Sequence, residues 1–227
     1  MSFIIRSDSI CGMMHRETGV DNQDAIASNS NDSTGVIVLA DGAGSRRYAQ
    51  QGAKTAVDTV AEYLFEHSNE LFDKPDTEIQ SEVHSFLLDK LHKLSEEYGV
   101  KSIREFGSTL LFAVICSGRY MVGHLGDGSI LSYHDDDFTV ISYPENGDSA
   151  YSTVLTTSFQ AKQHLRIARG NTADAEGIIL LSDGILPFLF NGGYLRKNHC
   201  SVQKTLLHAS EGSHYDDASY IMINWRS

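Results

Sequence analysis

Residues 36–53 read VIVLADGAGSRRYAQQGA, and the fold follows from how this stretch changes character. Val36 to Ala40 is a short, mostly β-branched apolar run, too apolar to leave either strand face in water. Asp41-Gly42 ends it as a turn: Asp bonds its own backbone and Gly reaches positive φ. From Arg47 to about His67 the pattern switches, and Ala49, Ala53, Val57, Val60 and Leu64 recur at spacings of three and four, the apolar face of a helix. A second helix is predicted from Thr77 to Tyr98, with Ile79, Val83, Phe86, Leu87, Leu91, Leu94 and Tyr98 on one face. Thr77 with Gln80 forms a candidate capping box and Gly99 a stop signal.

Strand patterns surround this helix pair: FIIRS near the start, STLLFAVIC (108–116), RYMVGHL (119–125), SILSY (129–133), FTVISY (138–143), GIILLS (177–182) and ASYIMINW (218–225). The SGR between the second and third of these suits a hairpin, so those two strands are predicted to be antiparallel. A third, shorter helix is predicted over Val202 to Ala209. Runs of strands with paired helices between them indicate an α+β fold with antiparallel sheet, not alternating βαβ units. Helices over the outer faces of a sheet sandwich would hide strands that are apolar on both sides.

Composition sets the outer limits. The chain has 227 residues, 41% apolar and 21% charged, values of an ordinary globular protein with room for a large core. Lys plus Arg number 18 and Asp plus Glu 30, a net charge of −12. No basic cluster is long enough to displace counterions from a nucleic acid, so such a partner is not expected. Cys11, Cys116 and Cys200 form no CxxC pair, which argues against a disulfide framework or a thiolate zinc site. No apolar run approaches a membrane span, and the first residues do not read as a signal peptide. With few prolines and no low-complexity run, residues 1–227 are read as a single unit.

The chemistry lies where the acids fall. Three apolar runs end in the same dipeptide: VIVLADG with Asp41, MVGHLGDG with Asp127 and IILLSDG with Asp183. Asp216 and Asp217 precede the final strand, and Asp24 precedes the apolar AIA. One Asp-Gly alone is an ordinary turn, but strand ends in a packed sheet converge. Two carboxylates about 4 Å apart repel by about 4 kcal/mol at an effective dielectric near 20. Several in one pocket therefore require protons or cations, and an all-oxygen ligand set selects hard ions: Mg²⁺ or Mn²⁺, with Ca²⁺ as competitor.

Six segments, NQDA (22–25), VIVLADGAGS (36–45), GST (107–109), GHLGDG (123–128), LLSDG (180–184) and DDAS (216–219), follow the motif order of the metal-dependent type 2C serine/threonine protein phosphatases. The resemblance runs from about Ser7 to Trp225. It is closest to the bacterial variant with a histidine, here His15, ahead of the first motif. It implies a four-layer α/β/β/α sandwich, two central, mostly antiparallel sheets flanked by helices, with two or three Mn²⁺ or Mg²⁺ ions at one end. By position, Asp41 resembles the acid bridging two ions, with the Gly42 carbonyl on one of them; Asp183 and Asp216 resemble the other direct ligands. Asp24 matches the acid acting through metal-bound water, and Asp127 the acid holding a third ion. Asp217 reads as a local hydrogen-bonding group, and the sequence leaves open whether Asp216 or Asp217 is the ligand. The implied reaction is in-line attack on a phosphoserine or phosphothreonine by water activated between the ions, with Asp41, Asp24 and Asp183 at its centre.

The sequence also departs from that pattern. Gly19 stands where the family often has a phosphate-binding Arg, which leaves Arg16, His15 and Arg46 as candidates for that role. Ala43 stands where some members have a histidine, and GDG replaces the common GDS. The polar segment from about 132 to 171 occupies the place of the family's variable flap. His124 and Trp225 read as core residues. The resemblance implies a phosphoprotein substrate and a cognate kinase, with a monomer in the cytoplasm as the working expectation. Two alternatives remain: a catalytically weak phosphoprotein-binding regulator, or a hydrolase of small phosphate esters.

Overall fold

The computed structural model describes residues 1–135, 137–145, 153–191, 194–195 and 215–226. In chain order these form β1 (Ser2–Ile10), α1 (Met13–Thr18), β2 (Asp24–Ser30), β3 (Thr34–Asp41), α2 (Ala49–Glu66), α3 (Ser68–Leu71) and α4 (Asp76–Glu97). After a 3-10 turn at Ile103–Phe106 come β4 (Leu110–Cys116), β5 (Arg119–Leu125), β6 (Ser129–His134), β7 (Asp137–Ser142), α5 (Ala161–His164), β8 (Arg166–Asn171) and β9 (Gly177–Leu181). A second 3-10 turn at Asp183–Ile185 leads into α6 (Leu186–Leu189), the small β10–β11 pair (Phe190–Asn191, Tyr194–Leu195) and β12 (Ala218–Arg226).

Two five-stranded sheets form the centre, ordered β1-β12-β9-β6-β7 and β2-β3-β4-β5-β8. Every strand pair in them is antiparallel. The α+β sandwich expected from the strand runs is therefore present. Its physical basis is the two-residue period of β3. Val36, Val38 and Ala40 join Phe112 and Val114 of β4 in a core beneath α2 and α4, into which Val57, Leu64, Val83 and Leu87 project. The intervening Ile37 and Leu39 join Leu111, Ile115, Ile178, Leu180, Ile221 and Ile223 in a second core between the sheets. Leu131, Ile179 and Leu181 turn to the far side and meet Ile185 and Leu189 in a third. A strand buried on both faces needs this arrangement.

The two long helices lie where the periodicity puts them, but α4 starts differently. Pro75 is its N-cap, with no side-chain cap bond, and Asp76 and Glu78 supply acid to the first turn, where the helix dipole favours it. The Thr77–Gln80 capping box is therefore absent. Gln80 instead donates to the Leu165 carbonyl at 2.8 Å. At the other end Gly99 has φ +63, and its N–H and that of Val100 reach the carbonyls of Glu96 and Ser95 at 3.1 and 2.8 Å. This is a Schellman stop, as the sequence indicated. The β4–β5 hairpin is also as expected, turning on Ser117 and Gly118, both at positive φ.

Two strands of the central sheets carry no recognised strand pattern, β2 (DAIASNS) and β8 (RIARGN). Both are edge strands of the same sheet. Edge positions tolerate polar, weakly patterned residues because one side faces solvent, so their sequences carry little signal. The polar segment 132–171 is likewise not simply a flap: it contains β7 and β8, strands of the two central sheets. The helix predicted over Val202 to Ala209 lies outside the described residues. No helix among the described residues is long and apolar enough to cross a membrane.

Candidate metal centre

One end of the sandwich gathers the acids. β3 ends at Asp41, Asp127 lies in the turn from β5 to β6, Asp183 follows β9, and Asp216 lies two residues before β12. They open on a cleft of about 350 Å³, also lined by Met14, His15, Gln23, Gly42, Ala43, Gly44, Thr109, Thr153 and Leu155. Asp41, Asp127 and Asp183 each present a carboxylate oxygen, and these three atoms lie within 4.8 Å of one another. Asp24 is paired with Asp41 across the β2–β3 ladder and is buried behind the cleft wall.

The backbone around Asp41 is held from both sides. Its N–H donates to Thr109 Oγ1 at 2.9 Å, and its carbonyl accepts from the Thr109 N–H at 2.8 Å. Gly42 allows the close approach behind it: a Cβ there would stand 2.6 Å from the Ala49 carbonyl oxygen and 2.9 Å from that of Gln23. The Thr153 hydroxyl donates to Asp127 Oδ2. Asp217, buried, has a separate task. Its carboxylate accepts from the Gly12 N–H at 2.7 Å and the Gln23 N–H at 2.6 Å, and bonds His15 Nδ1 at 2.9 Å. It thereby ties α1 and the start of β2 to β12.

The electrostatics are those of closely packed, buried acids. Burial, reinforced by Asp24, Asp183 and Asp127, holds the Asp41 carboxyl well above the usual carboxylate range. Burial pushes Asp24 up to about 7, although the Ser182 and Ser219 hydroxyls face it and oppose the shift. Those hydroxyls do not meet hydrogen-bond geometry, and both Asp24 carboxylate oxygens are enclosed without a partner. Asp183 is pushed up to about 6, by burial first and then by Asp127 and Asp216; its Oδ1 is also enclosed and unpartnered. Among the described residues, no Lys or Arg lines the cleft. Clustered carboxylates with orphaned oxygens and no basic neighbour are the donor set a hard divalent ion fits.

A protein-family model for protein phosphatase 2C matches residues 11–217. The chain belongs to the protein phosphatase 2C family. No curated protein matches it in sequence. Solved structures match its fold along almost the whole chain. A bacterial serine phosphatase aligns at 14% identity and TM-score 0.71, covering 100% of this chain and 99% of its own. The serine/threonine phosphatase Stp1 from Staphylococcus aureus aligns at 14% identity and TM-score 0.70, with 100% and 96% covered. RsbX, in a crystal structure with magnesium, aligns at 14% identity and TM-score 0.60, with 98% and 94% covered.

In this phosphatase 2C chain the acids singled out in the sequence fall into three places. Asp41, Asp127 and Asp183 form the close trio, and Asp24 stands behind them. Asp216 lines the cleft outside that trio, with its Oδ1 accepting from the Asp217 N–H at 2.9 Å. The candidate phosphate binders do not converge. His15 reaches the cleft but is tied to Asp217. Arg46 lines an adjoining pocket, and Arg16 lines neither cavity. Thr153 and Gln23 were not picked out from sequence: a lone threonine or glutamine in a polar segment carries no spacing signal. His124 is a core residue, with Nδ1 on Ser142 Oγ at 2.8 Å and Nε2 on the Gly126 carbonyl at 3.0 Å. Trp225 is buried and donates to the Thr172 carbonyl.

Proposed function

We propose that this chain is a divalent-metal-dependent phosphatase that hydrolyses phosphoserine and phosphothreonine in proteins. The observation that carries the reading is the convergence of Asp41, Asp127 and Asp183 on one point with no Lys or Arg lining the cleft among the described residues. In this reading Asp41, the Gly42 carbonyl, Asp183 and Asp216 would hold two ions and Asp127 a third, with Asp24 acting on them through water. Mn²⁺ and Mg²⁺ are the ions of choice, and the magnesium in the RsbX structure is in keeping with that. Bound, such ions supply an acidified water as nucleophile at neutral pH and positive charge for the phosphoryl oxygens.

The protein's own residues do the rest. Thr109 fixes the backbone of Asp41, Thr153 orients Asp127, and Asp217 holds α1 against β12, so that the acids meet with little reorganisation. Residues 1–227 act as one catalytic unit, a cytoplasmic monomer opposing a kinase on shared phosphoproteins; the pairing of β1 with β12 along nine residues supports the single unit.

One observation favours a second reading, a phosphoprotein-binding regulator with weak turnover: Gly19 and Ala43 stand in place of a phosphate-binding Arg and a histidine, and no Lys or Arg lines the cleft among the described residues. Hydrolysis of p-nitrophenyl phosphate with Mn²⁺, Mg²⁺ or EDTA separates the two, alongside Asp41→Asn and Asp183→Asn. Activity with Mn²⁺ and a loss of about a hundredfold or more in either variant is expected, since the ions stabilise several kcal/mol of developing charge. Binding of phosphopeptides without turnover would favour the regulator. Turnover of small esters but of no phosphopeptide would move the substrate to small phosphorylated molecules.

A further inference from the structure

Beside the metal cleft lies a second cavity of about 250 Å³, lined by Arg46, Arg104, Thr157, Ser158 and Phe159. The two cavities are built from the same two segments. Ala43 and Gly44 line the cleft, and Arg46 of the same turn lines the pocket; Thr153 and Leu155 line the cleft, and Thr157 to Phe159 line the pocket. Backbone bonds lock the segments together. The Arg46 N–H donates to the Ala43 carbonyl at 2.8 Å, and the Ala43 N–H to the Gly107 carbonyl at 3.1 Å. The Gly107 N–H donates to the Arg104 carbonyl, and the Thr156 N–H to the Ser108 carbonyl at 2.8 Å.

The pocket's charge is the reverse of the cleft's. Arg119, Arg166 and Arg169 each pair with a carboxylate. Arg46 and Arg104 pair with none among the described residues, and the Arg46 Nε is enclosed without a hydrogen-bond partner. Ser158 Oγ accepts from the Leu155 N–H at 3.0 Å, which leaves its own proton to donate. Phe159, 92% exposed, lies bare at the rim, and a large exposed aromatic ring beside a polar pocket is the mark of a contact surface. In a chain of net charge −12, two unpaired guanidinium groups beside two hydroxyls form a local anion receptor. The volume suits one side-chain group, smaller than the 300 Å³ or so of ordinary small-molecule sites.

We propose that this pocket binds a second anionic group of the substrate, a carboxylate or another phosphate, close in the peptide to the phosphoserine being hydrolysed. The proposal rests on the phosphatase reading and narrows its substrate class to phosphorylated segments that are acidic or multiply phosphorylated. Arg46 and Arg104 are specificity residues here: they hold the flanking group while the ions hold the scissile one. Phe159 packs on the intervening chain.

The test compares three phosphoserine peptides, whose neighbouring positions on both sides carry alanine, aspartate or a second phosphoserine. For the wild type, kcat/KM on either anionic peptide is expected to exceed that on the alanine peptide by about tenfold, the worth of one charge-assisted bond to Arg. The larger of the two gains identifies the group preferred. In the Arg46→Ala/Arg104→Ala double variant that ratio falls to near one. Arg46→Lys with Arg104→Lys restores part of it, because charge returns without the planar fork. A ratio unchanged in the double variant overturns the proposal. So does an equal loss on all three peptides and on p-nitrophenyl phosphate, which would make the arginines anchors of the scissile phosphate or of the fold. Fluorescence anisotropy of the same peptides in EDTA reads the pocket without turnover. A preference seen in binding, with no hydrolysis of any substrate in Mn²⁺, would refute the phosphatase reading and keep the pocket. Hydrolysis without preference would do the reverse.

Discussion

Replacing Asp24 by Asn exposes the cost of the acid cluster directly. In the folded, metal-free chain burial pushes the Asp24 carboxyl from 3.8 to about 7. The unfolded chain loses that proton near 3.8, so between the two values the folded state holds more protons. Its stability therefore falls as pH rises through this window. The full displacement corresponds to about 4 kcal/mol at pH 8, and sharing the repulsion with Asp41 and Asp183 brings the part removable at Asp24 to about 2–4 kcal/mol. Asn keeps the shape, carries no charge, and finds the Ser182 and Ser219 hydroxyls in front of its amide. For a chain of this length that energy is a rise in Tm of about 5–15 °C. Thermal melts followed by circular dichroism in EDTA, at pH 5 and pH 8, make the measurement. The variant should melt well above the wild type at pH 8 and by less than half that margin at pH 5, while Mn²⁺ should stabilise the wild type more than the variant. A gap of the same size at both pH values, or a variant less stable than the wild type at pH 8, would refute the reasoning.

Three further outcomes follow from particular contacts. Asp217→Ala strands the Gly12 and Gln23 N–H groups and the His15 ring, and urea unfolding should show a loss of about 3–5 kcal/mol; a loss below about 1 kcal/mol would deny Asp217 its tying role. Gly42→Ala drives a Cβ against the Ala49 and Gln23 carbonyls, so it should cost about 1–3 kcal/mol of stability and lower Mn²⁺ affinity, read by calorimetry. Burial first, then Arg166, pulls the His124 imidazole from 6.5 down to about 3, so folding favours its neutral form and stability is lost as pH falls through that window; His124→Gln should flatten the loss between pH 7 and pH 4 in denaturant midpoints.

Much of the molecule was legible in order along the chain. β3, β4, β9 and β12 are apolar enough to be recognised alone, and α2 and α4 carry helical spacing that survives their differing ends. The capping box failed because Pro75 already sets the backbone at the helix start, so nothing required the Thr77 side chain. The edge strands β2 and β8 stayed hidden because each pairs along one side only and carries polar, partly exposed residues. At the site, Asp41, Asp127 and Asp183 were found because each ends an apolar run, a pattern that repeats.

The one-dimensional pattern thus determined which residues are strand, helix and turn, and that acids sit at strand ends, because period and punctuation are local properties of the chain. Folding alone decided which of those ends meet. Only the antiparallel order of the two sheets brings β3, β5 and β9 to one end with their carboxylates within 4.8 Å, and it also separates the neighbours Asp216 and Asp217 into a cleft residue and a buried tie. Proximity between positions far apart in the chain is fixed by which apolar faces bury one another, and no window of sequence contains that choice.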